Sequence, residues 1–301
     1  MSVDQRFKGV GVAVVTPFNE KQEVDYDTYV RLLGYLSEGG VDYFVVQGTT
    51  GESPTVTASE KKRLLELTKQ NNPKKLPIVY GIGGNDTRSV LEAIAQADLS
   101  GVDAILSVTP YYNKPPQAGL VAHFTAIADA SPVPVILYNV PGRTVVSLSL
   151  DTVLTLAEHP NIIGIKDATS SLEFAMQLAW KAPKDFLLLS GDDNLVTPMV
   201  SVGWHGVISV IANAFPKEFG AMTWHALEGR FEEASKIQYS FIDFDTLLYV
   251  ESNPVGIKKC LEIKGWTSAE VRLPLVKATE GLGEKLKAAM VREGFIAPAH
   301  S

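Results

Sequence analysis

The chain has 301 residues, 46% hydrophobic and 20% charged, with a formal charge of −7, one cysteine and five histidines. That length can bury a sizeable core, and the composition is ordinary for a soluble globular enzyme. The acidic balance argues against a general nucleic-acid surface, no apolar run reaches the roughly 18 residues of a membrane span, the first residues lack the pattern of a signal peptide, and lone Cys260 excludes an internal disulfide, so a cytoplasmic protein is expected.

Apolar, β-branched runs recur along the chain at 10–15, 43–46, 78–82, 104–108, 135–138, 162–165, 186–189 and 207–211. Segments between them, at 26–37, 59–69, 87–98, 119–130, 150–158 and 172–180, carry apolar residues at three- and four-residue spacing, the helical period. Continuous Val/Ile/Leu runs alternating with helices imply a parallel sheet covered on its outer face. Eight such units in about 215 residues predict a (β/α)8 barrel rather than an open doubly wound sheet. The residues that could carry chemistry recur at the C-terminal ends of the runs: Thr16, Thr49, Thr50, Asn85, Tyr111, Tyr112, Tyr138, Asn139, Lys166 and the Gly191-Asp192-Asp193 turn. Barrel active sites are built at that face. From about Pro216 the strand signal stops, and Phe219, Met222, Leu227, Phe231, Ile237, Phe241, Phe244 and Leu248 form a helical core stripe. The expected organisation is a catalytic barrel over 1–225 and an all-α extension over 226–301, packed on the barrel or on another subunit as one rigid body.

Lys166 ends the sixth run and Asp167 follows it. Partial desolvation at a buried strand tip disfavours the ammonium form, and a neutral amine there can attack a carbonyl to form a Schiff base. Taken alone, a structural ion pair with Asp167 or a neighbouring acid explains the residue as well. Gly48-Thr49-Thr50-Gly51-Glu52-Ser53 follows the second run, and its glycines let amides and two hydroxyls converge on a small carboxylate. Tyr138 reaches the barrel mouth, where its phenol can pass a proton, and Arg143 offers a planar fork for a second carboxylate. The histidines show no HxxxH or HxH spacing, so no metal site is expected. The glycine-rich stretch from Gly81 to Asn85 lacks a phosphate-loop lysine and the dinucleotide spacing.

With GTTGES, TPYYN, YNVPGRT, GIKD, SGDD and GVISV all present, the chain resembles the dihydrodipicolinate synthase family of pyruvate-dependent class I aldolase barrels along essentially its whole length. The resemblance implies that Lys166 condenses with pyruvate to an imine and then an enamine, which attacks aspartate 4-semialdehyde. No separate cofactor is implied. Thr50, Tyr138 and Tyr112 would form the proton relay, with Tyr112 entering from an adjacent subunit. Thr49 and Thr50 would hold the pyruvate carboxylate, Arg143 the semialdehyde carboxylate, and the Ile208 backbone would face pyruvate. A homotetramer of two tight dimers is implied. The two threonines and Arg143 favour the synthase over its sialic-acid lyase relative. A related pyruvate aldolase acting on a sugar acid or a 4-hydroxy-2-oxo acid is the alternative, since it would share Lys166 and Tyr138.

One departure from the family stands out. Lysine-inhibited members carry two histidines after GTTGES and a glutamate after the glycine-rich loop, where this chain has Ala58, Lys61 and Ser89, although Ser53, Asn85 and Tyr111 remain. A cation at Lys61 repels a lysine ammonium, so weak or absent feedback by lysine is expected.

Overall fold

A computed structural model of the chain describes residues 3–298, which leaves His300 outside the described residues. Eight parallel strands close into a barrel in sequence order. They are β1 (Gly9–Ala13), β2 (Tyr43–Val46), β3 (Ile78–Gly81), β4 (Ala104–Val108), β5 (Val135–Asn139), β6 (Ile162–Asp167), β7 (Leu187–Ser190) and β8 (Gly206–Ser209). The helices are α1 (Tyr26–Glu38), α2 (Ala58–Gln70), α3 (Thr87–Gln96), α4 (Gln117–Ala130), the single turn α5 (Pro141–Thr144), α6 (Leu150–Ala157), α7 (Leu172–Lys181), α8 (Val196–Ser201), α9 (Pro216–Leu227), α10 (Phe231–Tyr249), α11 (Val255–Ile263) and α12 (Glu280–Arg292). This is the expected (β/α)8 barrel with additional C-terminal helices.

Local signals explain the elements. Asp25 caps α1 by accepting from Thr28 N, and Tyr29, Leu32, Leu33 and Leu36 bury one face of that helix at three- and four-residue spacing. Each fully buried Leu of that face contributes roughly 1.5–3 kcal/mol. Thr57 and Glu60 form a capping box at the start of α2. Side-chain alternation divides the core in two. Tyr43, Val45, Val79, Leu106, Ile136, Leu187, Leu189 and Ile208 fill the barrel, while Phe44, Val46, Ile105, Leu137 and Ile165 face the helices.

The eighth run ends earlier than its composition suggests. Val210 and Ile211 leave the ladder because the Asp193 carboxylate accepts from both of their amides, at 2.9 and 2.8 Å. The first run is cut short in the same way, since Val15 N donates to Asn213 Oδ1 rather than to a strand.

Helix α9 packs on β1 and β8, and α10 lies along α9. Phe215 and Phe219 from the barrel side meet Phe241 and Phe244 of α10 and Phe295 just past α12, with Phe295 stacked on Phe241 at 4.7 Å. Of the expected core stripe, Phe231 is instead 40% exposed, because it opens α10 before the helix turns onto the core. Cys260 is buried in α11, where desolvation pushes its thiol up.

Candidate active site

The side chain of Lys166 points into the barrel because of a bulge. Val135 pairs with Ile162, but Ile136 pairs with Gly164, which makes Ile163 the extra residue. A β-bulge inverts the alternation beyond it. Counted from outward-facing Ile162, strict alternation would have sent Lys166 outward; past the bulge, Ile165 faces the helices and Lys166 the interior. Tyr138 is its register partner on β5, and Lys166 Nζ lies 4.1 Å from the centroid of the Tyr138 ring. Gly191 leaves the room this requires, since a Cβ there would stand 3.0 Å from Lys166 Cε and 2.9 Å from Ala168 Cβ.

Lys166 is 6% exposed and makes no ion pair among the described residues. Asp167 faces the other way. Its carboxylate accepts from Asn139 Nδ2 at 2.9 Å and Thr169 Oγ1 at 2.6 Å, and burial raises its pKa. The ion-pair explanation of Lys166 therefore fails with Asp167.

A cavity of about 880 Å³ reaches the mouth at Tyr138, with Lys166 behind that ring rather than on the cavity wall. Thr49, Tyr80, Tyr111, Tyr138 and Arg143 line it, and it runs outward between α2 and α3 past Lys61. Arg143 stands exposed on α5. Ile208 is 1% exposed on the barrel interior.

The two threonines differ. They form a turn of 3-10 helix after β2, bracketed by Gln47 at φ 61° and Glu52 at φ 55°. Non-glycine residues in that region store backbone strain, which tertiary contacts must hold. Gln47 Nε2 donates to Thr16 Oγ1, which donates to Gly51 O at 2.7 Å, tying the turn to the segment that follows β1. Thr49 faces the cavity, whereas Thr50 is buried and its hydroxyl accepts from Asn253 Nδ2. No composition or motif signal marks Asn253 for this role, because its partner lies 203 residues away.

Tyr111 and Tyr112 follow β4. Asn85 Nδ2 donates to Tyr111 O at 3.1 Å, holding the loop against the end of β3. Tyr111 is 43% exposed, and Tyr112 is 87% exposed at φ 73°, turned away from the chain's own cavity wall. Asp193, in the turn after β7, is buried and pushed up to about 6 by desolvation, so it anchors β8 rather than facing a ligand. Among the described residues no cluster of three His, Cys, Asp or Glu could hold a metal ion, and no helix is long and apolar enough to cross a membrane.

Residues 6–292 match the profile of the Dihydrodipicolinate synthetase family. The chain is 47% identical over 286 residues to the 4-hydroxy-tetrahydrodipicolinate synthase of Cytophaga hutchinsonii, covering 95% of this chain and 96% of that one. A dihydrodipicolinate synthase of Acinetobacter baumannii, solved in complex with pyruvate, superposes with a TM-score of 0.93 at 38% identity, covering 96% of this chain and 99% of that one. A monomeric dihydrodipicolinate synthase variant superposes with the same score at 36% identity, over 97% and 98%.

Proposed function

The chain belongs to the dihydrodipicolinate synthetase family, and on that premise we propose that it acts as a 4-hydroxy-tetrahydrodipicolinate synthase, condensing pyruvate with L-aspartate 4-semialdehyde in the diaminopimelate route to lysine. It is a lyase, and the imine on Lys166 serves as its electron sink. The observation that carries this assignment is the amine of Lys166, buried, without an ionic partner among the described residues, and lying on the ring of Tyr138 beside the cavity.

In this proposal the Lys166 amine adds to C2 of pyruvate and water leaves, forming the imine. Loss of a methyl proton gives the enamine, whose carbon attacks the aldehyde. The amino group of the semialdehyde then displaces Lys166 and closes the ring, restoring the free lysine. Tyr138 carries protons to and from the reacting oxygen. Thr49, which shares the cavity wall with Tyr138, takes the relay position that the sequence reading gave to Thr50. Thr50 keeps the role of carboxylate ligand together with the amides of its turn. Arg143 binds the semialdehyde carboxylate with its planar fork, and the backbone of Ile208 faces pyruvate. Tyr112 completes the relay of a neighbouring subunit in a homotetramer. A cytoplasmic location belongs to the same reading.

Borohydride reduction in the presence of pyruvate, followed by peptide mass spectrometry, tests it. A reduced pyruvyl adduct on Lys166, lost in Lys166→Ala, is expected. No adduct on the folded protein, or one on another lysine, would overturn the mechanism.

A further inference from the structure

The outer helices reach the active-site turn through buried polar contacts, one of which meets a threonine hydroxyl. Asn253, between α10 and α11, donates from Nδ2 to Thr50 Oγ1 at 3.1 Å. The two residues are 7% and 3% exposed, so water does not compete for this bond. A threonine hydroxyl has one proton and two lone pairs. Because Asn253 occupies a lone pair, the proton of Thr50 stays free for an acceptor. Among the described residues no such acceptor is present, and a carboxylate bound at the turn would supply one.

Both partners are held in place. Glu52, which closes the threonine turn, forms a buried ion pair with Lys258 of α11 and accepts from Arg272 N at 3.0 Å. Asn253 follows Ser252, a non-glycine residue at φ 88°, a strained conformation that surrounding contacts must enforce. The Asn253 Oδ1 atom is buried with no partner among the described residues. An amide oxygen buried without a partner is costly, and the bond to Thr50 gives the buried amide a role that offsets it.

We propose that Asn253 is a positioning residue: it holds the Thr50 hydroxyl as an acceptor, so that its proton points at the carboxylate of pyruvate. The outer helices thereby set substrate affinity. The proposal rests on the assignment of Thr50 as carboxylate ligand.

Steady-state kinetics of Asn253→Ala, Asn253→Asp, Thr50→Val and the Asn253→Ala/Thr50→Val double variant test it. Asn253→Ala should raise KM for pyruvate about tenfold, the cost of one lost hydrogen bond, while kcat changes by less than about twofold. The double variant should be no worse than Thr50→Val alone, because Asn253 acts only through that hydroxyl. Asn253→Asp keeps the shape but accepts instead of donating. It should capture the Thr50 proton and raise KM more than Asn253→Ala, and it serves as the test if the alanine variant does not fold. Additive effects in the double variant, an unchanged KM in Asn253→Ala, or a milder defect in Asn253→Asp would each overturn the assignment. Borohydride trapping of the unsubstituted enzyme separates the two levels. An adduct on Lys166 with additive effects removes only the role of Asn253, whereas no adduct removes the pyruvate reading and this proposal with it.

Discussion

Lys61 occupies the wall of the cavity where it runs outward between α2 and α3, near Ser53, Ala58 and Tyr111. Burial lowers its pKa, and it has no ionic partner among the described residues. The nearby acids are committed elsewhere: Glu66 to Arg63 and Asp98 to Lys69. Ser89, at the position where lysine-inhibited relatives carry a glutamate, spends its hydroxyl on Asp86 at the cap of α3. An amino acid with a second ammonium would meet an uncompensated cation here and find no carboxylate to receive it. Two like charges about 6 Å apart repel by on the order of 1–3 kcal/mol near a protein surface, enough to weaken binding by one to two orders of magnitude. The activity should therefore persist in millimolar lysine, as measured by initial rates at subsaturating pyruvate. Inhibition at sub-millimolar lysine would contradict this account.

At the scale of elements, α10 meets the turn after β7 through acids. Burial, and then the charges of Asp193 and Asp192, push Asp245 of α10 up to about 8. The Oδ1 atoms of both Asp193 and Asp245 lack partners among the described residues, so a retained proton lets the two carboxyls sit together. Folded Asp245 keeps its proton up to about pH 8, while the unfolded residue loses it near about pH 4. Between those values the folded chain binds the extra proton, so this group's contribution to stability falls as pH rises. Asp245→Asn, which is neutral throughout, should raise the melting temperature by about 3 °C or more near pH 8.5, with the gain vanishing toward about pH 4. A loss of stability at the higher pH, or the same gain at both, would reject the mechanism. Element identity was legible in the sequence because Val/Ile runs and helical periodicity are local signals. The bulge at Ile163 was not, because Ile162-Ile163-Gly164-Ile165 reads as one apolar run whichever way its members face. Nor was the Asn253–Thr50 bond, whose partners lie 203 residues apart. Local patterns name the residues of a site, while the register and long-range polar contacts that aim them are set by the closed barrel.

Among the described residues several large apolar side chains stand exposed, and two groups of them bear on assembly. One surrounds the mouth, with Tyr111, Tyr112 and Val145 at 43%, 87% and 68% exposure. The other is a stripe on α7, where Leu172, Met176 and Trp180 recur every four residues and so share a face. Exposed apolar groups of this kind suit contacts with further copies of the chain. The fold itself does not demand assembly, since a monomeric variant in the family has nearly the same backbone. What assembly supplies on our reading is Tyr112, which cannot serve its own cavity from so exposed a position. Co-expression of Lys166→Ala and Tyr112→Ala chains tests this directly. Each is inactive alone, the first lacking the nucleophile and the second the relay group. In a mixed dimer, the chain with an intact Lys166 receives an intact Tyr112 from its neighbour, so one of its two sites works. Random pairing makes half the dimers mixed, and about a quarter of the unsubstituted activity should return. Failure to recover activity in verified mixed dimers would confine Tyr112 to its own chain's site, and full activity of Tyr112→Ala alone would place it outside the relay, leaving Thr49 and Tyr138 to carry the proton within one chain.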